Sequence, residues 1–197
     1  MKNALIGLIA ATCAAMLGIG AAAFSSDPVL ARASSPDGAA LTVFFVRHAE
    51  TETSTSTTRD PRLSQDGEQR AASLARLLSR AHVTHLFASE YQRTQATLAP
   101  LAEQRTLDVS VVPAGKADDL VGTLRALPAG SVAVVAGHSN TVPQLVAAVG
   151  GQAAELVDHP KYGKMLADTE YDRLFVVQAP TFGEGDAATL ELRYGRE

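Results

Sequence analysis

LTVFFVRHAET, residues 41–51, is the stretch on which the reading of the whole chain turns. Leu41 to Val46 is a β-branched and aromatic run without a charge, the composition of a buried strand. Arg47 and His48 mark where that strand gives way to a loop. In α/β folds, ligands settle in the crevice beyond the carboxyl ends of parallel strands. An arginine beside a histidine at such a place predicts a site for an anion.

Outward from this strand, the polar run TETSTSTTRDP (51–61) has little to bury and ends in a proline, so it reads as a loop beside the site. Ser64 is a natural N-cap for a helix whose Ala71, Leu74, Ala75, Leu77 and Leu78 cover one face, ending near Arg80. His85–Ala88 reads as a second strand, with a helix opening at Ser89. Asp108–Val112 reads as a third strand, followed by a helix over Asp118–Leu127 that stops at Pro128 and Gly130. Ser131–Ala136 (SVAVVA) is the most apolar strand, leading through Gly137, His138, Ser139 and Asn140 into a helix with Pro143 in its first turn. Arg173–Gln178 and Thr189–Tyr194 close the chain as strands. Strands alternating with helices predict an α/β three-layer sandwich: a mostly parallel central sheet with helices on both faces.

The chain has 197 residues, 46% of them hydrophobic, enough for one ordinary core and too few for two. Its N-terminus reads differently. Lys2 precedes the apolar stretch 4–23, and small-residue cleavage patterns follow at 21–23 and 31–33, so residues 1–33 read as a signal peptide or an N-terminal anchor. Residues 34–40 (SSPDGAA) read as a linker, and 41–197 as the folded domain. The expected location is periplasmic or secreted, with the membrane as a partner only if residues 4–23 stay attached. The single cysteine, Cys13, lies in that segment, which leaves the mature domain without disulfides, thiol catalysis or cysteine metal sites. The net charge of −4 argues against nucleic acid, which calls for clustered Lys and Arg. Any phosphate site must therefore be local.

The polar residues sharpen this plan. Arg47 and His48 follow the first strand, Arg93 lies near the start of the helix after the second, and His138 follows the fourth. Three strand ends thus offer cationic or protonatable groups at one edge of the sheet, together with the helix N-termini at Ser89 and near Asn140. Singly, each is as readily a surface charge or a structural histidine. Their shared placement has no packing explanation.

VRHAET, LSQDGEQRA, SEYQRTQAT and VAGHSN, in this order, resemble the histidine phosphatase superfamily, which also contains the cofactor-dependent phosphoglycerate mutases. The resemblance implies a short phosphatase-type member in which His48 becomes phosphorylated while Arg47, Arg93 and His138 hold phosphoryl oxygens. It implies a phosphorylated small molecule or phosphoprotein as partner, and no cofactor or metal. Neutral imidazole is a nucleophile near pH 7, and guanidinium forks neutralise phosphoryl charge, so the chemistry agrees. The proton donor for the leaving group is Glu90, Asp118 or Asp119, or no dedicated acid, since the chain lacks the Trp-containing insertion of mutase-like members. Arg59, Ser139 and Asn140 are candidate substrate-binding residues. Lys161 and Lys164 could read a second anion but are as readily solvated, and His82, His85 and His159 are taken as structural. A metal-independent phosphomonoester hydrolase is the leading reading. The alternatives are a phosphoglycerate mutase-type transferase and a non-catalytic phosphate-binding or interaction module.

Overall fold

A computed structural model describes residues 40–53, 60–179 and 187–195. The N-terminal signal or anchor, the linker up to residue 39 and Arg59 lie outside the described residues. The chain order is β1 (Leu41–Arg47), α1 (Gln65–Leu77) running into a 3-10 turn (Leu78–Arg80), β2 (His85–Ala88), α2 (Gln92–Arg105), β3 (Val109–Val111), α3 (Ala117–Arg125), β4 (Val132–Gly137), α4 (Thr141–Ala148), β5 (Val157–His159), β6 (Gly163–Met165), β7 (Arg173–Ala179) and β8 (Ala188–Arg193).

Six strands form the main sheet in the order β3-β2-β4-β1-β7-β8. β1, β4, β2 and β3 are parallel, while β7 and β8 add antiparallel at one side. The order explains the layers. From β1 through β2 to β3 the chain steps one way across the sheet, and from β3 to β4 it steps back. Right-handed crossovers in opposite directions place their helices on opposite faces. Accordingly, Leu74, Leu98 and Leu101 of α1 and α2 pack on Val46, Leu86 and Val134, whereas Leu124, Val142 and Val146 of α3 and α4 pack on Val43, Phe45 and Phe175. β1 and β4 are buried on both faces, which is why they read as continuous apolar runs rather than alternating ones.

Ser64 caps α1 as expected, its Oγ accepting from the Gly67 N–H at 3.2 Å. Gly67 has a second reason to be there. A Cβ at this position would meet the Glu50 carbonyl oxygen at 2.0 Å, so only glycine lets α1 lie directly against the loop that leaves His48. The helix expected from Ser89 starts at Gln92 instead, with Tyr91 as N-cap and no side-chain cap of its own. Asp60 supplies the cap from outside the helix, its Oδ2 accepting from the Gln92 N–H at 2.8 Å. The antiparallel β5–β6 hairpin was not anticipated, because three-residue strands rich in Lys, Asp, His and Gly carry no periodic signal.

Candidate active site

Register assembles the site. Arg47 lies opposite Gly137 in the parallel β1–β4 pair, and the His48 N–H donates to the Gly137 carbonyl at 2.8 Å. His48 and His138 therefore leave adjacent strands side by side, with ring centroids 5.4 Å apart and edge to face. Ala88 pairs with Ala136, which brings Ser89 beside His138, and its Oγ lies 2.9 Å from His138 Nε2. The rings of His48 and His138 border an open cleft of about 520 Å³, with Tyr91, Arg93, Ser139 and Asn140 around them and His159, Tyr162 and Asp168 opposite. A larger cavity of about 680 Å³ beside Arg76 and Arg193 contains no histidine, serine–histidine pair or other activated nucleophile. Chemistry rather than size selects the cleft.

The state of His48 follows from its neighbours. Nδ1 lies 2.8 Å from the carbonyl oxygen of Ala49, and a carbonyl can only accept, so Nδ1 carries the proton and Nε2 keeps its lone pair. Desolvation, and then the charges of Arg47 and Arg93, push its pKa down to about 3, so the ring is neutral at pH 7. His138 is lowered to about 4, again by burial first and by Arg93 second. Arg93 offers only donors, so its long 3.5 Å contact through Nη2 makes His138 Nδ1 the acceptor. Nε2 of His138 then donates to Ser89 Oγ, which is 2.8 Å from Thr94 Oγ1. Thr94 passes the chain on to the Tyr91 carbonyl at 2.8 Å. Both imidazoles are thus held in one tautomer by the strand ends and the start of α2.

The two arginines are held differently. Arg93 pairs through Nη1 with Asp60 Oδ1 at 3.0 Å, and its guanidinium lies 4.3 Å from the centroid of the Tyr91 ring. Arg47 is 7% exposed and has the Tyr171 ring 4.0 Å from its guanidinium carbon. Its Nη1 donates to the carbonyls of Ala167, Asp168 and Glu170 at 3.0, 3.0 and 3.2 Å. Its Nε is buried with no partner among the described residues. A buried guanidinium donor without an acceptor is costly, and an oxyanion beside it would satisfy it.

The structure brings His48, Arg93, His138, Ser139 and Asn140 together on the cleft, holds Arg47 buried behind them where its charge acts on His48, and leaves other candidates outside. Glu90 is exposed, its Oε2 accepts from the Ala114 N–H at 2.7 Å, and it does not line the cleft, although its carboxylate is close enough to act on His138. Asp118 and Asp119 are exposed in the first turn of α3. Lys164 pairs with Asp158 at 2.9 Å on the surface, and Lys161 lies over the Tyr162 ring. His85 keeps to a structural place, bonded to Thr84 and stacked on Phe87. His159 keeps a structural place too, its Nδ1 accepting from the Lys161 and Tyr162 N–H groups at 3.1 and 3.3 Å, and the unforeseen β5–β6 hairpin also carries it to the cleft. Asp60, Ser89, Tyr91, Asp168 and Tyr171 were not singled out as site residues. Ser89 and Tyr91 stood within a quoted motif, but Asp168 and Tyr171 lie in a stretch without pattern. Among the described residues no group of three or more His, Cys, Asp or Glu is placed to hold a metal ion.

Two imidazoles and two guanidiniums at the carboxyl edge of a parallel sheet define a phosphoryl-handling α/β protein. Residues 43–116 match the model of the histidine phosphatase superfamily (branch 1). Solved structures agree on the fold. The protein histidine phosphatase SixA complexed with tungstate is 18% identical with a TM-score of 0.58, the alignment covering 77% of this chain and 96% of that one. A mycobacterial glucosyl-3-phosphoglycerate phosphatase with inorganic phosphate is 16% identical with a TM-score of 0.54, covering 76% and 95%. No curated protein sequence matches. The match agrees with the resemblance that the motifs carry, and the family match and the fold together support a phosphatase. The match ends before His138, so the fourth motif rests on the geometry described above.

Proposed function

We propose that the chain is a metal-independent phosphomonoester hydrolase that works through a phosphohistidine on His48. The observation that carries this reading is the tautomer lock: with Nδ1 committed to the Ala49 carbonyl, the Nε2 lone pair of a neutral, buried ring is left beside two guanidiniums. Nε2 attacks phosphorus, the ester P–O bond breaks, and the leaving oxygen takes its electron pair. Water then adds its hydroxyl to phosphorus as the Nε2–P bond breaks. Net, one water is consumed, its proton ending on the alcohol and its hydroxyl on phosphate. Arg47 through its Nε and Arg93 through its guanidinium neutralise the transferring oxygens, the role a magnesium ion fills in many phosphoryl transferases. Because Glu90 is solvent-exposed and already bonded to a backbone N–H, the reading favours substrates whose leaving group departs with little acid assistance, such as an aryl phosphate or, with the P–N or acyl P–O bond broken in place of the ester bond, a phosphorylated nitrogen or an acyl phosphate. From the sequence of residues 1–33 we further infer export to the periplasm or the medium; no helix among the described residues is long and apolar enough to cross a membrane.

The test is phosphate release from p-nitrophenyl phosphate and a panel of phosphorylated metabolites by the protein lacking residues 1–33, with EDTA present. Turnover that resists EDTA and falls at least about a thousandfold in His48→Ala is the expected result, as for loss of other enzymatic nucleophiles. Turnover that persists in purified His48→Ala contradicts the mechanism.

A further inference from the structure

The segment between β6 and β7, residues 166–172, forms a strap across the back of the site. It is tied to the chemistry at both ends. The Leu166 N–H donates to the Ser139 carbonyl at 2.9 Å, next to His138, and the strap's carbonyls at 167, 168 and 170 hold Nη1 of Arg47. Backbone carbonyls hold a guanidinium in place only if the backbone itself is fixed. One side chain fixes it: Glu170 Oε2 accepts from the Ala167 N–H at 3.2 Å and from Nη1 of Arg173 at 3.2 Å, while Oε1 accepts from Arg193 at 3.2 Å. Arg173 is in turn bonded on every nitrogen. It is 1% exposed, bonded bidentately to Glu191 at 2.6 and 2.9 Å and donating to the Ala154 and Glu155 carbonyls.

The orientation this imposes on Arg47 has a chemical consequence. A guanidinium offers two faces for a bidentate oxyanion, the end formed by both terminal nitrogens and the side formed by Nε with Nη2. With Nη1 committed to three carbonyls, the end is closed. The side edge, whose buried Nε has no partner among the described residues, is what remains. We propose that Glu170 is a positioning residue that, through the 167–170 carbonyls, holds Arg47 with its Nε–Nη2 edge presented to the phosphoryl group. The inference rests on the phosphatase reading for its kinetic consequence, but the orientation of Arg47 does not depend on turnover. Loss of the Glu170 carboxylate frees the Ala167 N–H and loosens the turn, so Arg47 samples both faces and the oxyanion loses a fixed fork. A misplacement of about 1 Å at such a group costs up to about a hundredfold in rate.

The test compares wild type, Glu170→Ala, Glu170→Gln, Arg47→Ala and the Glu170→Ala/Arg47→Ala double variant. Aryl-phosphate turnover is measured alongside the side-chain ¹⁵N–¹H signals of Arg47, with thermal unfolding as the check on the fold. Expected are a roughly tenfold to hundredfold fall in kcat/KM for Glu170→Ala, partial rescue in Glu170→Gln, and no further fall when the change is added to Arg47→Ala. The slow guanidinium rotation of Arg47 should also be lost in Glu170→Ala. A fall that multiplies with that of Arg47→Ala, with Arg47 signals unchanged, overturns the proposal and leaves Glu170 a purely structural residue. Should wild type show no turnover, the phosphatase reading fails on its own, and the Arg47 signals still decide the positioning claim. If Glu170→Ala fails to fold, Glu170→Gln carries the same comparison: unchanged Arg47 dynamics and kinetics in a folded Gln variant reject the requirement for the carboxylate.

Discussion

The parallel half of the molecule, β1 to α4, and the antiparallel remainder, from β5 onward, contribute to one site by different means. The first places reactive groups by strand register: Arg47, His48, Ser89 and His138 all follow from which residues pair across β1, β4 and β2. The second brings none of the nucleophilic or phosphoryl-binding groups inferred here, yet it supplies the strap that grips Arg47, the Tyr171 ring over that guanidinium, and the hairpin that closes the far wall of the cleft. Register fixes Cα positions, and those are enough to aim a short imidazole. A long guanidinium needs its far end held as well, and that is what the second region adds.

Substitutions in each half should separate these contributions. The largest effect outside His48 is expected on the parallel side. Arg93→Ala should lower kcat by about a hundredfold to a thousandfold, the usual cost of one transition-state donor, with little change in unfolding temperature. An unfolding temperature that drops along with activity would move Arg93 to the structural side of the comparison. On the antiparallel side, Arg173→Ala should cost stability first. It removes one partner of a buried ion cluster, for which about 3–5 kcal/mol is typical. Glu170 and Glu191 keep side-chain exposures of 19% and 30% and can recruit water, so the low end, about 3 kcal/mol, is expected in urea unfolding. A variant as stable as wild type would show that the cluster contributes nothing to holding β7 and the strap.

The smallest effect concerns protonation. His48 and His138 are buried neutral, with pKa values of about 3 and 4 against an ordinary value of 6.5. In the folded state they bind fewer protons than the unfolded chain as pH falls below 6.5. Stability therefore declines through the window from about 6.5 down to these values and is unaffected by either ring above it. The imidazole resonances of His48 should accordingly stay those of the neutral Nδ1–H tautomer from pH 7.5 to pH 5. A midpoint near 6.5 would show that the ring is solvated and that the enclosure described here is wrong.

Much of the parallel half was legible in the sequence because its strands are apolar on both faces and its helices carry a regular stripe. LTVFFV and SVAVVA could be read as buried strands, and the residues after them as one edge, without any structure. Ser64 declared its helix start, and Gly67 its motif, although the reason for the glycine, the Glu50 carbonyl, is visible only in three dimensions. The start of α2 was misplaced by three residues, since its cap comes from Asp60, thirty-two positions earlier, and no local pattern announces a remote cap. The β5–β6 hairpin and the strap escaped for a related reason. Their strands are short and polar, and their role lies in backbone carbonyls that any residue could offer, so Asp168, Glu170 and Tyr171 gave no signal.

The central claim is that His48 Nε2 becomes covalently phosphorylated. Rapid quenching of the enzyme during turnover of a ³²P-labelled phosphoester, followed by peptide mapping, tests it most directly. The account predicts acid-labile, base-stable label on the peptide containing His48, absent in His48→Ala and discharged at the rate of phosphate release. Full turnover with no label on His48 at any quench time, or label on another residue, would contradict it.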